Sequence, residues 1–97
     1  MTRRDAIARL SANADRIRGM GIRHLYLFGS TARDDARNGS DVDLFVEQDE
    51  DRFGILELLR VQAELSSLLG ARADLATRDG LHPMLRPAIE ADAVAIF

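Results

Sequence analysis

The chain has 97 residues, 46% of them apolar, a formal net charge of −3, no cysteine, and only arginine as its basic residue type. These figures fit one small core, expected to span 1–97 as a single domain, and exclude disulfides, cysteine-held zinc, a P-loop lysine and a Schiff-base lysine. The acidic balance argues against nucleic acid as a partner, no apolar run is long enough for a membrane span, and Met1–Asp5 leads into no apolar signal segment. A cytoplasmic setting with no membrane partner is the expectation.

Residues 2–18 place Ile7, Leu10, Ala14 and Ile17 at helical spacing, and Thr2 with Asp5 has the form of a capping box. Gly19 and Gly21 end that helix. Residues 23–28, Arg-His-Leu-Tyr-Leu-Phe, predict a strand, with Tyr26 and Phe28 expected in the core. Gly29-Ser30 breaks the strand, and a short helical turn around Thr31–Ala36 is expected next. Asn38-Gly39-Ser40 is a turn signal, and residues 41–47 alternate like a half-buried strand.

The acidic stretch Gln48–Asp51 predicts the start of a long helix, about 52–69, closed by Gly70. Residues 72–76 read as a third strand, followed by a loop with Gly80 and Pro83. A last helix is expected at 84–92, with Pro87 in its first turn, and Ala93–Phe97 as a final extended piece. The order αβ(α)βαβα is that of an α/β (α+β) domain, with a small mixed sheet of about three to four strands flanked by helices.

The chemistry concentrates in acidic residues. Asp41 and Asp43 are two apart in a strand and share a face, while Val42, Leu44 and Val46 point into a core. Two carboxylates side by side repel, and a divalent cation is their natural counter-charge. The plainer alternative is turn chemistry at Ser40-Asp41 with Asp43 facing solvent. Gly29 follows an apolar strand and lets backbone N–H groups approach a phosphate, Ser30 adds a hydroxyl donor, and Arg33 a guanidinium. A strand-to-helix turn with a capping serine would use the same residues. Asp74 sits within the apolar frame Ala73-Asp74-Leu75-Ala76 and joins the other two carboxylates if its strand lies beside 41–47. Otherwise it is an exposed edge residue.

The pattern Gly29-Ser30-x-Ala32-Arg33, then Ser40-Asp41-x-Asp43-Leu44, then Asp74, resembles the nucleotidyltransferase fold of the DNA polymerase β superfamily. It is most similar to the minimal nucleotidyltransferases (MNT), antitoxin partners of HEPN-domain toxins. The resemblance implies a transferase that moves AMP from ATP onto a hydroxyl, with a tyrosine of a HEPN toxin as acceptor. It implies a pair of Mg²⁺ ions held by Asp41, Asp43 and Asp74 as the catalytic carboxylates, and nucleotide phosphates held by Gly29, Ser30, Arg33 and Ser40. Arg33 is either a phosphate contact or the partner of a nearby acid. Many relatives carry a glycine after the arginine; Asp34 stands here and puts an acid beside the phosphate site.

A partner is also suggested by residues 52–69, where Ile55, Leu56, Leu58, Leu59, Val61, Leu65, Leu68 and Leu69 cover more of the helix than one core needs. The surplus fits a toxin or a second copy, making a homo- or hetero-oligomer; the alternative is a helix sandwiched within the fold. Gly19-Met20-Gly21 precedes a strand and is no dinucleotide fingerprint, and His24 and His82 lack ligand spacing. Ser30 lacks the setting of a hydrolase nucleophile. Against the enzyme stand a non-catalytic antitoxin acting by contact alone and a metal- or nucleotide-sensing subunit of a larger complex.

Overall fold

The computed structural model describes residues 1–49 and 53–97. In chain order it contains α1 (Arg3–Ala12), α2 (Ala14–Arg18), β1 (Ile22–Phe28), α3 (Gly29–Ala32), β2 (Val42–Gln48), α4 (Ile55–Leu69), β3 (Ala73–Thr77), α5 (Arg86–Asp92) and β4 (Val94–Ala95). The four strands make one mixed sheet in the order β3-β2-β1-β4. β1 runs antiparallel to β2 and β4, while β2 and β3 are parallel and are joined through α4. A parallel pair needs such a crossover, because the chain must return to the starting edge.

The core lies between one sheet face and the helices. Ile22, Leu25 and Leu27 of β1, Val42, Leu44 and Val46 of β2, and Ala73 and Leu75 of β3 meet Ala6, Leu10, Ile17, Val61, Leu65 and Leu69. Alternation along each strand sends the intervening residues to the opposite face. Tyr26 and Phe28 therefore do not join the main core, contrary to expectation. They are half-buried on the far face, where Tyr26 stacks on buried Phe45 at 4.7 Å and the Arg78 guanidinium covers both rings.

Several boundaries moved for identifiable reasons. The helix expected at 2–18 is two, because Asn13 bonds its side chain back to the Arg9 carbonyl at 2.7 Å and leaves helical geometry at φ −112°. Thr2 does cap α1, accepting the Asp5 N–H at 3.1 Å. The turn expected at Thr31–Ala36 starts at Gly29 and ends at Ala32 as α3. The long helix begins at Ile55, not 52, with Gly54 as its N-cap and Glu57 accepting the Gly54 N–H at 2.9 Å. Residues 50–52 lie outside the described residues, so the acidic entry is not located. Gly70 closes α4 in the left-handed region at φ 67°. The last helix starts at Arg86, with Pro87 in its first turn. Among the described residues no helix is long and apolar enough to cross a membrane.

Candidate active site

The strand registers bring the chemical residues to one end of the sheet. Asp43 faces Phe28 across the antiparallel β1–β2 pair, so it sits beside the turn into Gly29. On its other side Asp43 is in register with Asp74 across the parallel β2–β3 pair. Asp41 immediately precedes β2, two residues from Asp43, and approaches Arg72 at 3.9 Å. Three carboxylates thus gather at the start of β2 and β3, next to the end of β1.

Gly29 is the residue that lets this happen. Its φ is +73°, a region that costs any other L-residue strain, and a Cβ there would fall on the Asp43 carboxylate. The chain turns directly from β1 into α3, placing Ser30 beside Asp43 in a cleft of about 410 Å³. Phe28, Arg33 and Asp92 line the same cleft, and α5 supplies an apolar side through Ala88 and Ile89, with Leu85 just before it. The Asp43 carboxyl is pushed above the ordinary carboxylate range. Burial is the main cause, then the charges of Asp74 and Asp41, with Arg33 opposing.

Not every expected residue lines this cleft: of the three carboxylates Asp43 does, while Asp41, just before β2, and Asp74, on β3, stand beside it outside the lining. Ser40 lies in the turn before β2, where its hydroxyl accepts the Arg37 N–H at 3.1 Å; it is exposed and is not part of the cleft lining. Arg33 does line the cleft, but its Nη1 donates to Asp92 at 2.7 Å and its Nε to Asp35 at 3.4 Å. The pairing with nearby acids is present. Asp34 adopts φ 62° and turns away from the cleft, accepting the Arg3 N–H at the start of α1 at 2.9 Å. A glycine suits that backbone, and Asp is among the few other residues that tolerate it. The acid that follows Arg33 is thereby committed to the first turn of a helix.

Leu85, Ala88, Ile89 and Asp92 were missed in the sequence. They stand far from the Asp and Gly-Ser motifs in the chain, and aliphatic residues on a short helix carry no chemical signal.

The described chain matches known proteins along most of its length. A family model of the nucleotidyltransferase domain matches residues 10–96. This chain belongs to the nucleotidyltransferase domain family. A Methanocaldococcus jannaschii protein named “Putative protein adenylyltransferase” is 36% identical over 77 residues, covering 79% of this chain and 82% of its own. A solved minimal nucleotidyltransferase aligns with a TM-score of 0.81 at 35% identity, covering 97% of this chain and 95% of that one. A Shewanella oneidensis MNT antitoxin, solved in complex with a tri-AMPylated HEPN toxin, shares the fold with a TM-score of 0.66 at 18% identity, over 90% of this chain and 68% of that one. The protein is a nucleotidyltransferase enzyme with a mixed four-stranded α/β fold.

The family implies Mg²⁺, and the donor set of this nucleotidyltransferase fits it. Carboxylate oxygens are the hard ligands Mg²⁺ prefers, and Asp43 carries a carboxyl raised first by burial and then by the charges of Asp74 and Asp41. Among the described residues no three acidic or histidine side chains converge tightly enough to enclose an ion by themselves. Mg²⁺ does not need such a cage, because it commonly completes its shell with water and substrate phosphates.

Proposed function

We propose that this nucleotidyltransferase moves AMP from ATP to a hydroxyl of a partner protein, a tyrosine of a HEPN-type toxin, and so acts as an antitoxin in the cytoplasm. The observation that carries the reading is the register of Asp43 between Phe28, at the turn into Gly29, and Asp74, which sets a glycine turn of the kind that suits a phosphate against paired carboxylates. The adenylyltransferase names of the relatives, and the AMP-PNP bound in one toxin–antitoxin structure of the same fold, support AMP and ATP.

Asp41, Asp43 and Asp74 would hold Mg²⁺, which when bound lowers the pKa of an attacking hydroxyl and offsets charge on the α-phosphate and the departing pyrophosphate. The backbone at Gly29 and the Ser30 hydroxyl donate to phosphate oxygens at the floor of the cleft. Leu85, Ala88 and Ile89 give an apolar wall for the nucleoside.

The partner docks on the exposed apolar side of α4. Ile55, Leu56 and Leu59 are 67%, 65% and 50% exposed, so the helix is not sandwiched at this end. The same patch supports the second reading, neutralisation by contact alone.

The test is α-labelled ATP with Mg²⁺ and the product of the neighbouring gene. Label on the partner, lost in Asp41→Ala/Asp43→Ala, supports transfer. No label from any NTP while the two proteins still bind makes contact-only neutralisation the better reading.

A further inference from the structure

Arg33 and Asp92 are opposite charges that both line the cleft and pair with each other. Arg33 is the C-cap of α3, one turn beyond the Gly29-Ser30 phosphate turn. Asp92 is the last residue of α5. Their 2.7 Å bond joins Nη1 of Arg33 to the Asp92 carboxylate, while Nε of Arg33 holds Asp35 at 3.4 Å. Among the described residues the cleft lining has one cation, Arg33, against two anions, Asp43 and Asp92. A triphosphate entering this lining meets a net negative charge, and its nearest guanidinium is already neutralised.

Both side chains of the pair are partly exposed. Such a pair is weak and exchangeable, and a phosphate oxygen competes well for a guanidinium. The two bonds on Arg33 divide the work. Asp35 lies two residues along the chain and can keep Nε while Nη1 changes partner. α5 itself has no fully buried residue.

We infer that Asp92 is a positioning residue that occupies Arg33 in the empty cleft and yields it to the nucleotide's phosphates, so that Asp92 lowers nucleotide affinity. The inference rests on the reading of this cleft as the triphosphate site. Asp92 gives the guanidinium a partner at 2.7 Å. The cost is that each bound nucleotide must displace a carboxylate.

The experiment is binding of Mg²⁺–ATP and of metal-free tripolyphosphate by calorimetry, with melting curves for every variant. Asp92→Asn is expected to tighten both ligands about two- to five-fold, the range an exposed ion pair is worth. Asp92→Glu keeps the charge and should bind like the parent. In an Arg33→Gln background the gain from Asp92→Asn should shrink toward nothing, since the freed partner is absent. Unchanged or weaker binding by a folded Asp92→Asn protein overturns the exchange and leaves Asp92 as an anchor of α5. An equal gain in both backgrounds also overturns it, because charge removal alone would then explain the effect. Absence of ATP and tripolyphosphate binding in every variant, including the parent, would sink the reading of the cleft itself and the exchange with it.

Discussion

Gly29 and Asp43 are so close that a single methyl group on the glycine would occupy the position of the carboxylate. Gly29 also holds φ +73°, so the position is doubly restricted. Gly29→Ala is expected to destabilise the protein by about 1–3 kcal/mol, from left-handed strain plus displacement of Asp43. Urea unfolding measures the loss. A stability equal to the parent's would show that the turn can relax away from Asp43.

Asp43 links stability to pH. Burial and the neighbouring Asp74 and Asp41 charges raise its pKa in the folded state. Its ionised form is thus disfavoured by folding, a penalty fully present above the folded pKa and absent below the unfolded value of about 4. Stability from this group falls as pH rises through that window. Asp43→Asn should therefore raise the Tm of the metal-free protein near neutral pH and lose that advantage as the pH falls to about 4. Mg²⁺ should raise the Tm of the parent and much less that of the variant. Melts with EDTA and with Mg²⁺ across this range check both points, and a variant less stable than the parent near neutral pH would reverse the sign assigned here.

Asp34 performs two tasks that substitutions separate. Its carboxylate accepts the Arg3 N–H, and its backbone sits at φ 62°. Asp34→Ala loses the bond and meets the left-handed penalty, for about 1–3 kcal/mol together. Asp34→Gly loses the bond but gains backbone freedom at that φ, and should cost less than the alanine. Asp34→Asn keeps an acceptor and a residue tolerant of αL, and should lie nearest the parent. Chemical denaturation of the three variants ranks them.

α4 is divided into a core half and an exposed half. Leu65 is fully buried, and Leu65→Ala should cost about 2–5 kcal/mol. Leu56→Ser with Leu59→Ser should change the isolated protein by no more than about 0.5 kcal/mol each, since both side chains already face solvent. The same pair of substitutions should abolish partner binding in a pull-down with the neighbouring gene product. Retained binding would move the interface elsewhere.

Much of this protein follows from local rules that need no long-range information. Strand alternation alone puts Asp43 on one face of β2 and Val42 and Leu44 on the other, because the side-chain period of a strand is two. Gly29, Gly70 and the Thr2 cap mark boundaries through backbone sterics and hydrogen bonding within a few residues. What only tertiary structure decided is what distant segments do to one another. The sequence could not say that Arg33 would meet Asp92, that α5 would wall the cleft, or that Ser40 would stay in its turn. Nor could it show that Asp34 would bond to the start of α1. Each depends on which segment packs beside which, and the net of many weak contacts across the fold sets that, not the residue's own chemistry.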